Sequence, residues 1–261
     1  MQLSLDGRTA LITGGSKGLG LAMGKAFAAA GGHVALVARG AETLAKAEAE
    51  VKAAAPAAKV AAIAADISTT KGCEKAFAEA ARALGRVDIL VNNAGTSQRG
   101  PFLSVDDALW QNDLDLKLFA AIRLSRLALP GMQERRWGRI INVLNIGAKA
   151  PPGEGAPTAV SRAAGMALTK VLANENAKHN ILVNALLVGI IESDQWVRRH
   201  AADKRNISWE EWKAEMGKPV PLGRLGKAEE FAATALFLCS EAGGYITGTA
   251  INVDGGRSPV V

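Results

Sequence analysis

Short apolar runs alternate with longer amphipathic, alanine-rich stretches from one end of this sequence to the other. The runs fall at 9–13, 33–38, 60–64, 88–92, 139–144, 181–187 and 249–253. They are rich in Val and Ile and nearly continuous in hydrophobicity, as strands covered on both faces must be. Helical character marks 19–30, 43–55, 71–84, 107–135, 158–178 and 228–240. Strand–helix alternation of this kind requires right-handed crossovers and so predicts an α/β fold on a parallel sheet of seven strands. With no break in composition and no long linker, residues 1–261 read as one domain. One stretch departs from the rhythm. Residues 190–226 carry Trp196, Trp209, Trp212 and the turn-rich Lys218-Pro219-Val220-Pro221. So long an excursion reads as a lid over a site, with a contact to a second copy as the plainer alternative.

Composition narrows the partners. At 49% hydrophobic and 21% charged, the chain can bury a large core. Its net charge of +6 suits an anionic ligand such as a phosphate, although a basic solvated surface explains it equally simply. No block of like charge is long enough for a nucleic-acid arm, and no stretch has the length and apolarity of a membrane span. Cys73 and Cys239 are far apart in apolar contexts, forming neither a disulfide framework nor a metal site. The N-terminus shows no basic segment followed by an apolar run, so a reducing, cytoplasmic setting is expected.

Glycine is abundant, with 28 residues, and its placement is informative. Thr13-Gly14-Gly15-Ser16-Lys17-Gly18-Leu19-Gly20 follows the first apolar run and opens the first helix. Glycines there let the backbone turn tightly, approach a pyrophosphate and pack helix on strand, while the helix N-terminus faces the anion. That context makes the fold Rossmann-type and doubly wound, with Gly14, Ser16, Lys17, Gly18, Leu19 and Gly20 as cofactor contacts. The second run ends Ala38-Arg39, where an NAD-preferring site usually places a carboxylate for the ribose 2′-hydroxyl. Arg39 instead suits a 2′-phosphate, and Lys17 adds a second positive charge. The pair predicts NADP(H), with NAD(H) the weaker alternative.

On these residues the sequence resembles the short-chain dehydrogenase/reductase family over nearly its whole length. The resemblance rests on the glycine turn, Asp66-Ile67, Asn92-Asn93-Ala94-Gly95, Pro221-Leu222-Gly223-Arg224, Tyr245-Ile246-Thr247-Gly248 and Val253-Asp254-Gly255-Gly256. It implies a sheet ordered 3-2-1-4-5-6-7 and a homodimer or homotetramer packed through the helices after strands four and five. It also implies an adenine contact at Asp66 and Ile67, further cofactor contacts at Asn93, Ala94, Gly95 and Gly189, and a carboxamide contact at Ser193.

The chain departs from the family's catalytic pattern. Where the family has Tyr and Lys on the helix after strand five, this sequence has Thr158 and Arg162; the family's Ser falls on Asn145 and its Asn on Lys117. The single tyrosine, Tyr245, belongs to the C-terminal motif, so no local realignment restores one. A threonine hydroxyl ionises far too weakly to replace a phenol as general acid, and arginine stays protonated. Arg162 can still hold the nicotinamide ribose. Lys117 with Arg162 would make a two-cation clamp for a substrate oxygen, and Asn145 can donate an amide N–H. Lys149, Glu154, Asp194 and His200 are further candidates to face the cleft. The expectation is an oxidoreductase moving hydride between NADP(H) and a small carbonyl or alcohol at an atypical site, without metal. A non-redox, lyase-like enzyme on the same fold and a catalytically inactive NADP(H)-binding protein are the alternatives.

Overall fold

The computed structural model describes residues 3–205 and 207–261, apart from the side chains of Asp194, Gln195 and Arg198. Seven parallel strands form one sheet in the order β3-β2-β1-β4-β5-β6-β7. They are β1 (Thr9–Thr13), β2 (His33–Ala38), β3 (Val60–Ala64), β4 (Ile89–Asn92), β5 (Gly138–Asn145), β6 (Ile181–Val188) and β7 (Ala250–Val253). Successive strand residues face opposite sides of a sheet. Accordingly Ala10, Ile12, Val34 and Leu36 join one core with Met23, Phe27, Phe231 and Leu238. Leu11, Ala35 and Val37 join the other, with Cys73, Leu124 and Met132.

The first core is roofed by α1 (Gly18–Ala29), α2 (Ala41–Ala54) and α9 (Ala228–Cys239), the second by α3 (Thr70–Leu84), α5 (Ala120–Arg135) and α6 (Thr158–Asn176). Both cysteines are buried and free, and burial pushes the Cys239 thiol up to about 12. His33 is structural: its Nδ1 accepts the Lys59 N–H at 3.2 Å.

Two regions differ from the sequence pattern. The stretch 107–135, expected as one helix, is α4 (Asp107–Leu114), then a π-helical turn over Asp115–Phe119, then α5. Such a turn inserts one extra residue per loop of helix and re-aims the side chains on it. Here it turns Lys117 inward, so this lysine is buried rather than a surface cation. The segment 190–226 forms α7 (Asp194–Ala201) and α8 (Trp209–Gly217), with an Ile191–Gly226 bridge closing its base. Ser208 and Glu211 form a reciprocal cap at the start of α8. The rings of Trp209 and Trp212 stack with centroids 5.5 Å apart, and His200 sits edge-on to both. His200 Nε2 also bonds the Ile207 carbonyl at 2.9 Å, so this histidine serves the aromatic cluster and does not line the cleft. The side chain of Asp194, the other candidate on this segment, lies outside the described residues.

No helix among the described residues is long and apolar enough to cross a membrane.

Candidate functional site

The carboxyl ends of the strands converge on the glycine turn, where doubly wound sheets place their ligands. Gly14 has φ +65°, a conformation glycine adopts without a Cβ clash. A Cβ on Gly20 would strike the Gly14 carbonyl oxygen, so only glycine lets α1 rest on the turn. Asn93 fastens the turn to β4 by donating its amide to the carbonyls of Thr13 (2.8 Å) and Gly14 (3.3 Å). Thr13 Oγ1 accepts the backbone N–H groups of Asn93 and Ala94 at 2.9 and 3.0 Å. Thr13 escaped the sequence reading, although a hydroxyl at the last strand position before a glycine turn was the available signal.

Two cavities flank the turn. The smaller, about 310 Å³, is lined by Ser16, Arg39, Gly40, Asp66, Ile67 and Leu116, among others. The larger, about 1230 Å³, begins at Lys17, Gly18 and Leu19 and passes Asn93, Ala94 and Gly95. It continues over the ends of β5 and β6 toward Pro151 and Trp196. Gly189 and Ser193 also line it; a Cβ on Gly189 would come within 2.6 Å of Asp254 Cα. A glycine cradle opening into two chambers, one carrying Arg39 and the other unpartnered polar atoms, fits the shape and charge of a dinucleotide.

The polar atoms at the centre of the larger cleft come from β5 and α6. Asn145, the last residue of β5, lines the cleft, and its buried Oδ1 has no hydrogen-bond partner among the described residues. Arg162, one turn into α6, donates through Nη1 to the Val143 carbonyl at 2.7 Å, while its buried Nε is unpartnered. A Cβ on Gly95 would collide with the Arg162 guanidinium, so that glycine makes room for the cation. Burial lowers the Arg162 pKa to about 10 against the opposing pull of Asp113, which still leaves it charged at neutral pH.

Thr158 begins α6 and is 2% exposed, yet it lines the cleft. Its Oγ1 accepts the Gln98 N–H at 3.0 Å and donates to the Gln98 carbonyl at 2.7 Å. Behind it, Lys117 Nζ donates to the same Oγ1 at 2.8 Å and ion-pairs with the carboxylate of Asp113, one turn earlier. The other oxygen of Asp113 accepts from Ser161 Oγ at 2.6 Å. Both Lys117 and Asp113 have no side-chain exposure. Burial, then the Arg162 cation, lowers the Lys117 pKa to about 8, with Asp113 opposing.

The structure therefore brings Lys117, Asn145, Thr158 and Arg162 together, but not as expected. Lys117 does not stand beside Arg162 in the open cleft. Thr158 lines the cavity while Lys117 does not, and the buried ammonium is held by the Asp113 carboxylate and by Thr158 Oγ1. Lys149 is also not a cleft residue: its Nζ is spent on the Ala250 carbonyl at 2.7 Å. Glu154 is exposed at φ +56° and does not line the cleft. Tyr245 is fully exposed and away from both cavities. Among the described residues lining the larger cleft there is no Asp, Glu, His, Cys or Tyr. Asp113 and Ser161 went unseen in the sequence; the spacing of Asp113 and Lys117, one helical turn apart, was the signal for the pair.

Among the described residues no group of three or more His, Cys, Asp or Glu could hold a metal.

A family profile described as enoyl-(acyl carrier protein) reductase matches residues 14–258. The chain is 35% identical to a 3-oxoacyl-[acyl-carrier-protein] reductase of Aquifex aeolicus over 98% of its own length and 99% of the relative's. It is similar in structure to L-sorbose reductase from Gluconobacter frateurii, solved with NADPH and L-sorbose, at TM-score 0.95 and 34% identity with both chains fully covered. An NADPH-bound short chain oxidoreductase from Pseudomonas aeruginosa PAO1, described as containing an atypical catalytic center, aligns at TM-score 0.92 and 36% identity over 99% of each chain.

Proposed function

The chain belongs to the short-chain dehydrogenase/reductase family, and from that premise we propose an NADP(H)-dependent reductase whose proton donor is the Thr158 hydroxyl backed by Lys117. One observation carries the reading. Among the described residues, the only hydroxyl at the centre of the cleft that also bonds a buried, acid-shifted ammonium is that of Thr158. The family's Tyr–Lys pair is thereby replaced by two partners drawn from different helices.

The cofactor is held by this chain's own groups. The glycine turn from Gly14 to Gly20, with Lys17, would hold the pyrophosphate, Arg39 the 2′-phosphate, and Asp66 and Ile67 the adenine. Arg162 would hold the nicotinamide ribose, Asn93, Ala94 and Gly95 would contact the cofactor, and Gly189 and Ser193 would contact the carboxamide. Bound there, NADPH would supply the hydride for the carbonyl carbon of a substrate. Asn145 orients the carbonyl through its amide N–H. As negative charge grows on the substrate oxygen, the Thr158 Oγ1–H bond breaks and its proton passes to that oxygen. Lys117 Nζ returns a proton to Oγ1 and remains as the neutral amine, hydrogen-bonded to Asp113. Threonine alone is too weak an acid, but a lysine lowered to about 8 lies near the working range for general acid catalysis. The segment 190–226 closes the cleft as a lid, and the whole chain, 1–261, works as one domain in a homodimer or homotetramer.

That no Asp, Glu, His, Cys or Tyr lines the cleft among the described residues also supports a second reading, an NADP(H)-binding protein without turnover. A panel of carbonyl compounds offered with NADPH, run beside NADPH binding by fluorescence, decides between them. The reductase reading expects NADPH consumption with at least one carbonyl. Binding without consumption by any member of the panel selects the second reading.

A further inference from the structure

The larger cleft is one-sided in charge. Beyond Thr158 its wall carries Arg99, Arg199 and Arg257, and among the described residues no carboxylate lines it anywhere. Arg199 is engaged with the ring of Trp196, 4.6 Å from guanidinium carbon to centroid. Arg99 and Arg257 make no ion pair and no side-chain hydrogen bond among the described residues. Burial and the neighbouring Arg99 lower the pKa of Arg257, with Asp254 only partly opposing them.

Their position separates them from the cofactor phosphates. Arg99 forms a β-bridge with Pro157, the residue before Thr158, and its charge reaches Lys117 behind that threonine. Arg257 follows β7 and feels Arg99 directly. The glycine turn and Lys17 lie at the other end of the cleft, and Arg39 opens into the smaller cavity. Two guanidinium groups that repel one another across a cleft walled by Pro151, Pro152, Trp196 and Met216 are poised for an anion. Apolar walls strengthen such attraction, and a planar guanidinium matches carboxylate or phosphate with paired N–H donors.

We propose that the substrate carries a carboxylate or phosphate group, bound by Arg99 and Arg257 while its reacting oxygen meets Thr158. The identity of the reacting group rests on the reductase reading; the anion site rests on the arginines alone. Sequence reading gave no hint of it, because the two arginines are isolated basic residues in loops far apart in the chain.

The test titrates the NADPH-saturated protein with levulinate, with methyl levulinate and with inorganic phosphate, following nicotinamide fluorescence and NADPH consumption in the same samples. Levulinate, phosphate or both should bind, the stronger of the two naming the preferred anion, while the neutral ester binds at least about tenfold more weakly than levulinate or phosphate. Arg99→Ala and Arg257→Ala should each weaken the anion by about tenfold and leave NADPH affinity within about twofold, and added salt should weaken the anion further. Neither anion binding better than the ester overturns the proposal. So does a parallel loss of NADPH affinity in both variants, which would give the arginines to the cofactor. Anion binding without NADPH consumption by any carbonyl would instead count against the reductase reading and leave the anion site standing.

Discussion

Thr158 Oγ1 has one hydrogen and two acceptor sites, and all three are in use: it donates to Gln98 and accepts from Gln98 and Lys117. To serve a substrate it swings its hydrogen from the Gln98 carbonyl toward the cleft without losing the lysine. Thr158→Ser keeps that option, whereas Thr158→Val removes it at nearly constant volume. Thr158→Val should lower kcat by about a hundredfold or more, Thr158→Ser far less, with NADPH affinity unchanged in both. Steady-state kinetics beside fluorescence titration read the difference. The buried pair behind it sets a stability prediction. Asp113→Leu leaves the Lys117 ammonium buried without its anion and should destabilise by about 3–5 kcal/mol, while Asp113→Leu with Lys117→Met should recover most of the loss. Urea unfolding of the two variants measures both values, and a double variant no more stable than the single one would remove the pair from the argument.

The strands and most helices were legible because their residues obey one period each. Val34, Ala35, Leu36 and Val37 alternate between two cores, and a strand covered on both faces reads as an unbroken apolar run. The π-helical turn at Asp115–Phe119 was not legible in the local periodicity, and it carries Lys117 to a partner, Thr158, on a helix far along the chain. Ser161, which reaches Asp113 only across the fold, was hidden for the same reason. At the end of β2, Arg39 lines the smaller cavity with Ser16 and Asp66. NADPH should bind at least about tenfold more tightly than NADH, and Arg39→Asp should reverse the order in a fluorescence titration. On the segment 190–226, Trp196 is the member of the tryptophan cluster that lines the cleft, with its ring 6.0 Å from that of Trp212. If α7 and α8 close over the ligands, intrinsic tryptophan emission should change on NADPH binding, and Trp196→Phe should remove most of the change.

At the scale of the whole molecule, α6 and the π turn leave apolar side chains in water: Val160, Val171 and Phe119 are all exposed. That surface is where the proposed homo-oligomer would pack, and light scattering at micromolar concentration should give a dimer or tetramer mass. The proposed chemistry depends on that framework in one place, where α6 carries Thr158 and the π turn carries Lys117 to hydrogen-bond it. The most direct test is the pH dependence of NADPH oxidation with a turned-over carbonyl, in the wild type and in Lys117→Met. The proposed relay requires Lys117 protonated, and with its pKa lowered to about 8 this group loses its charge as pH rises through that value. The wild-type rate should therefore be level below pH of about 8 and fall toward tenfold for each further unit, whereas Lys117→Met should be slow and flat across the same range. An unchanged rate and an unchanged profile in Lys117→Met would contradict the account and place the proton donor elsewhere.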